Sequence, residues 1–134
     1  MILNKTYKFK QNTAKPKYKS KKTEIDGIKF DSRLEGFMYT LLRDNKITFE
    51  LQKKYELQEK FKYNSESIRA ITYTVDFYLA DYDICIDTKG IATQQGLMRI
   101  KMLKRYFYDH GLNTKILLPK NKKKCLELMY NLNK

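Results

Sequence analysis

A chain of 134 residues has the length of one domain and can bury a real core, and its 28 basic against 15 acidic residues leave it at +13. An excess that large points to a polyanionic partner, nucleic acid first. A membrane role is not expected. No apolar stretch approaches the roughly 20 residues of a membrane helix, no segment pairs a basic face with a broad apolar one, and the N-terminus does not read as a secretory signal.

Residues 1–22 hold eight lysines and no acid: Lys5, Lys8, Lys10, Lys15, Lys17, Lys19, Lys21 and Lys22. With Pro16 and few apolar residues, this segment reads as a flexible arm ahead of a single domain over 23–134. The arm is either a terminus without a task or a phosphate-contacting element with salt-sensitive affinity. "TEIDGIKF" (23–30) predicts a short hairpin turning at Asp26-Gly27. "SRLEGFMYTLLRDNK" (32–46) predicts a helix: Leu34, Phe37, Met38, Leu41 and Leu42 form one stripe, and Asp31 or Ser32 can cap it.

"ITFELQKKYEL" (47–57) alternates as a strand, with a bend expected at Lys53-Lys54. Residues 59–80 predict a hairpin around Asn64–Ser67 whose second arm is long and rich in β-branched and aromatic residues. "YDICIDTK" (82–89) is the next strand. Residues 93–111 return to helical spacing through Leu97, Ile100, Leu103 and Phe107, stopping near Gly111. "TKILLP" (114–119) is a short strand, and "KKKCLELMYNL" (122–132) a last helix. The expected fold is α/β in the broad α+β sense, with a mixed central sheet flanked by helices. Cys85 and Cys125 have no metal-type spacing with each other or with the single histidine, His110, and are expected to be reduced and intracellular.

Acids inside the apolar strands carry the chemical signal. Along 71–79 the alternation puts Ile71, Tyr73, Val75, Phe77 and Leu79 on one face and Asp76 on the other. In 82–89, Asp87 and Lys89 project side by side. A tight turn near Asp81 would bring Asp76 close to Asp87. Two such carboxylates repel unless a cation lies between them, and a hard ion such as magnesium removes the conflict. Lys89 could then orient or deprotonate a water. The alternative is an ordinary Asp-x-Lys ion pair at a strand end. Glu35 also has two readings: an acid joining the site, or the far member of a Ser32-x-x-Glu35 capping box.

An acid in a first helix, "VDF" in a long strand and "DTK" in the next resemble the PD-(D/E)xK nuclease superfamily. More closely, "DGIKFDSRLEG" (26–36), "RAITYTVDFYL" (69–79) and "IDTKG" (86–90) resemble small phage-encoded nucleases related to the endonuclease I-type Holliday-junction resolvases. The resemblance spans roughly residues 19–118. It implies a restriction-endonuclease-like αβββαβ core and a magnesium- or manganese-dependent endodeoxyribonuclease acting on branched or duplex DNA in phage recombination, in the cytoplasm of an infected or prophage-carrying bacterium. It also implies Asp76, Asp87 and Glu35 as metal ligands and Lys89 as the signature lysine. Val75 stands where the superfamily has Pro, a structural position rather than a ligand.

Other residues keep two readings. Gln94 and Gln95 could touch DNA or water, or form a polar first helical turn. Arg99, Lys101, Lys104 and Arg105 are a DNA-groove wall or a solvated face. Lys122, Lys123 and Lys124 oppose the dipole of the last helix, so a phosphate partner would relieve them. Tyr55, Tyr63, Tyr106 and Tyr108 stack bases or pack the fold. Cutting two strands of a junction suits a homodimer. The competing function is a non-catalytic nucleic-acid-binding or phage regulatory protein on a nuclease fold.

Overall fold

The computed structural model describes residues 22–89 and 93–134. The expected arm, with Lys15, Lys17, Lys19 and Lys21, lies outside the described residues. Lys22 is described and exposed.

The chain begins with a hairpin, β1 (Thr23–Ile25) and β2 (Ile28–Phe30), turning at Asp26 and Gly27. Both turn residues have positive φ, 55° and 79°, the pairing that two-residue hairpins require. Helix α1 (Arg33–Asp44) follows, and of its two candidate caps the structure uses Ser32, whose Oγ accepts from the Glu35 amide at 3.0 Å. Met38 and Leu42 of its apolar stripe are fully buried. The hairpin presses against this helix beside Glu35. A Cβ on Gly36 would meet Thr23 Cγ2 at 2.8 Å and Ile25 Cδ1 at 3.0 Å. Ser32→Ala should cost about 1 kcal/mol and lower the Tm by a few degrees in thermal denaturation, while Ser32→Thr retains most of the stability.

Four strands make the central sheet: β3 (Glu50–Gln58), β6 (Ile71–Leu79), β7 (Ile84–Ile86) and β8 (Lys115–Leu117), in the order β3-β6-β7-β8. The first three are antiparallel and β8 runs parallel to β7. Between β3 and β6 the chain makes a small exposed hairpin, β4 (Phe61–Tyr63) and β5 (Glu66–Ile68), turning at Asn64 and Ser65. Helix α2 (Gln94–Asp109) links β7 to β8, and α3 (Lys122–Leu132) follows β8. The sheet and its connections therefore read α1-β3-β6-β7-α2-β8, with α3 appended, an α/β fold with a mixed sheet.

Adjacent residues of β7 separate the two faces. Ile84 and Ile86 pack with Met38 and Leu42 of α1 and with Cys125, Leu128 and Met129 of α3. Cys85 packs on the other side with Ile100, Leu103 and Phe107 of α2. Each buried cysteine is thus free and belongs to a different layer. Burial pushes the Cys125 thiol up to about 11, so it behaves as a small apolar side chain.

One expectation about β6 needs correction. Phe77 and Leu79 join the α1/α3 cluster, whereas Tyr73 and Val75 join the α2 cluster. In a flat strand all four would share a face. The partner strand divides likewise, Leu51 with the first cluster and Tyr55 and Leu57 with the second. The change of face falls at Asp76 and the residue across from it, Gln52, not at Lys53-Lys54. Gln52 has φ 51°, and the register is the same on either side of it (Leu51 opposite Phe77, Lys53 opposite Val75).

Candidate functional site

The parallel pairing of β7 with β8 brings several candidate residues to one end of the sheet. Helices α2 and α3 follow the C-terminal ends of these two parallel strands, and Asp87 and Lys89 come directly after the end of β7. Ligands in open α/β sheets collect outside such strand ends. The first half of α1 reaches the same end: Lys122, first residue of α3, lies 5.2 Å over the Phe37 ring.

Asp76 and Asp87 are both buried, each 7 % exposed. Asp76 Oδ2 accepts from the Thr88 amide at 2.8 Å and from Thr88 Oγ1 at 2.9 Å. Asp87 Oδ2 accepts from the Tyr73 hydroxyl, and its Oδ1 from the Lys89 amide at 3.1 Å. Burial foremost, then the charge of Asp87, pushes the Asp76 carboxyl up to about 7, although the Thr88 bonds oppose the shift. Glu35 adds its own repulsion to Asp76. Tyr73 is held in its neutral, donating form by burial and by Asp87.

Glu35 is 2 % exposed and both of its oxygens are held. Oε1 accepts from the Asp31 amide at 3.2 Å and Oε2 from Gln52 Nε2 at 3.1 Å. Only half of the expected capping box is present. Ser32 caps the Glu35 amide, while the Glu35 carboxylate bonds back to Asp31 rather than to Ser32. Burial raises its pKa, Asp31 and Asp87 raise it further, and Lys89 and the Asp31 amide pull it down. Glu35 thus feels the charges of Asp87 and Lys89, residues far away in sequence.

Lys89 departs from expectation. The strand expected over 82–89 ends at Ile86, so Asp87 and Lys89 do not alternate along a strand. The ammonium lies 3.4 Å from Asp31 Oδ2, in a half-exposed pair, and only the Lys89 backbone amide bonds Asp87.

The fit of this group to a divalent cation has two sides. The donors are all carboxylate oxygens, as a hard ion requires, and burial with mutual repulsion is a conflict that such an ion relieves. However, among the described residues no three His, Cys, Asp or Glu side chains are arranged to hold a metal ion as they stand. Each carboxylate is instead engaged by protein donors. Lone pairs remain on these oxygens, since a carboxylate offers about four acceptor sites. The donor set therefore suits magnesium or manganese without forming a finished cage.

The basic residues divide between the layers. Arg99, Lys101, Lys104 and Arg105 are exposed on α2; Lys122, Lys123 and Lys124 are exposed at the start of α3, on the opposite face of the sheet. They do not form one continuous wall on a single face. Arg105 is paired with Asp109 at 2.9 Å and lies 5.3 Å from the Tyr108 ring centroid, and Lys124 is paired with Glu127 at 3.4 Å. Gln94 and Gln95 are exposed in the first turn of α2, capped by Thr93. Tyr55 is a core residue and Tyr106 stacks on His110, leaving Tyr63 and Tyr108 exposed.

The sequence did not mark Tyr73, Thr88, Asp31 or Gln52 as site residues, and offered Asp31 only as a helix cap. Thr88 was legible as the middle of Asp-Thr-Lys. Tyr73 looked like plain apolar strand, and nothing local distinguishes Gln52 from the other polar residues of β3.

A family model described as protein of unknown function (DUF1064) matches residues 15–123. The chain belongs to DUF1064. The DUF1064 segment takes in the whole carboxylate group, Gln52 and Lys89, and runs from Lys15 into the first turn of α3. No curated protein and no solved structure matches the chain. Among the described residues, no helix is long and apolar enough to cross a membrane.

Proposed function

We propose that this DUF1064 protein is a magnesium- or manganese-dependent endodeoxyribonuclease that hydrolyses phosphodiester bonds, with branched DNA as its substrate. The observation that carries the reading is the pair of buried aspartates, Asp76 and Asp87, which repel each other within electrostatic reach of Glu35 and Lys89 in a chain of net charge +13. Acids gathered this way work against a protein that only binds phosphates, and serve one that holds a cation on them.

In this reading Asp76, Asp87 and Glu35 hold the ion. Bound there, it would polarise a phosphoryl oxygen and lower the pKa of a water. Thr88 and Tyr73 fix the orientation of the two aspartates. Lys89, half-exposed and only loosely paired, turns its ammonium to the phosphate and stabilises the charge that develops there. Exposed bases on α2 and at the start of α3, with the lysines of residues 15–22, hold the DNA backbone on either side of the site. The choice of branched DNA, the phage setting in a bacterial cytoplasm and a homodimeric assembly rest on the resemblance to junction resolvases.

A second reading, a nucleic-acid-binding or regulatory protein without catalysis, is favoured by one observation: the carboxylates are already satisfied by protein donors and form no ready ligand cage. The two readings separate in one assay. The full-length protein is incubated with junction, flap, linear duplex and single-stranded DNA, with and without magnesium or manganese. Cutting is expected only with metal. Asp87→Ala should reduce it more than roughly 100-fold, beyond the loss expected from an orienting group alone, and leave binding intact. Binding without cutting, under any metal condition, would establish the second reading.

A further inference from the structure

Six non-glycine residues among those described have positive φ, and five of them, Asp26, Lys46, Asn64, Ser65 and Asp83, lie in turns or at element ends. The sixth, Gln52, lies inside β3 at φ 51°. Glutamine has no special tolerance for the left-handed region, and a strand interior has no topological need of it. Strain of this kind persists where surrounding structure over-determines it, and it concentrates at functional sites.

Its location gives the strain a purpose. The register puts Gln52 across from Asp76, where both strands change the face they present to the core. The left-handed residue leaves Gln52 exposed at an edge of the sheet, yet its Nε2 reaches Glu35 Oε2 at 3.1 Å. Glu35 comes from a different element and its other oxygen is held by the Asp31 amide. Gln52 is thus the side chain that ties the helix acid to the strand pair carrying Asp76.

We propose that Gln52 is a positioning residue of the candidate site, its strained backbone aiming the side-chain amide at Glu35 so that this carboxylate stays directed toward Asp76 and Asp87. The inference rests on the nuclease reading above. The amide keeps Glu35 from rotating away when the aspartates repel it, at the cost of one left-handed residue. A structural role alone makes a different prediction. Glycine at φ 51° relieves the strain, whereas a glutamine whose contact serves only the fold loses more stability with that contact than the relief returns, and leaves metal affinity unchanged.

The experiment compares wild type with Gln52→Gly, which relieves the strain, and Gln52→Met, which keeps the length but not the amide. Three readouts are taken on the full chain: Tm, manganese affinity by calorimetry, and kcat and KM for DNA cleavage. We expect Gln52→Gly to melt at or above the wild-type temperature. Both variants should nevertheless bind manganese about 10-fold more weakly and lose about 10- to 100-fold in kcat, with KM for DNA unchanged within about twofold. If wild type cuts and both variants match it in kcat and manganese affinity, the assignment of Gln52 is overturned and the nuclease reading stands. A lower Tm for Gln52→Gly with unchanged manganese affinity makes Gln52 a residue of the fold and also overturns it. If wild type neither binds manganese nor cuts, both proposals fall together.

Discussion

Asp76→Asn should make the metal-free protein more stable at pH 8 while abolishing cleavage. Asp76 is buried beside Asp87, and its carboxyl titrates near 7 rather than at its ordinary 3.8. The sign of the linkage follows from proton counting. Between about pH 4 and pH 7 the folded protein keeps a proton on this pair that the unfolded chain has already released. Stability of the metal-free protein therefore falls as pH rises through that window and levels off above it. A displacement of roughly three pH units corresponds to an upper limit of about 4 kcal/mol. Asparagine keeps the acceptor for Thr88 and removes the charge facing Asp87. We expect a gain of about 2 kcal/mol at pH 8, with the slope between pH 5 and pH 7 largely gone. Urea unfolding in a chelator, across pH 5 to 8.5, measures both. Adding magnesium should reverse the order, since an ion that binds only the folded wild type stabilises it by mass action. A variant less stable than wild type at pH 8, beside a flat wild-type profile, would mean that the two aspartates do not repel.

Lys89→Met should lower single-turnover cleavage by about 100- to 1,000-fold, the usual cost of deleting one donor aimed at developing charge. DNA affinity should change less than threefold, because one lysine among 28 basic residues carries a small share of the phosphate attraction. Stability should also hardly move. The pair with Asp31 is long and open to solvent, and exposed pairs of that kind contribute about 0–1 kcal/mol. This separation of rate from binding and folding is what the assignment requires. Cleavage at the wild-type rate would remove Lys89 from the chemistry and leave its contact with Asp31 as a surface ion pair.

Much of the fold was legible because its elements announce themselves locally. The Asp26-Gly27 turn, the Leu34-to-Leu42 stripe of α1 and the run 122–132 match the structure closely, since turn chemistry and the 3.6-residue period act over a few neighbours. The candidate site was only partly legible. Asp76 and Asp87 stood out because acids are rare in apolar strands. Lys89 was recognised, but its partner was not, because a strand ending at Ile86 frees the residues beyond it from the two-residue alternation. The faces of β6 were misread for a related reason. Alternation assumes a flat strand, and the pair β3–β6 changes face at Gln52 and Asp76.

The amino-acid sequence by itself determined the charge of +13, the order of helices and strands, a cap for α1 at Asp31 or Ser32 and the presence of acids where a strand should be apolar. All of these follow from composition or from interactions within a few residues along the chain. Tertiary structure alone decided that Glu35 is held by Gln52, that Tyr73 and Thr88 hold the aspartates, that Lys89 turns to Asp31, and that the basic helices lie on opposite faces. Each of these pairs residues from different elements. Their meeting depends on strand register and on the parallel β7–β8 crossover, which no local period encodes.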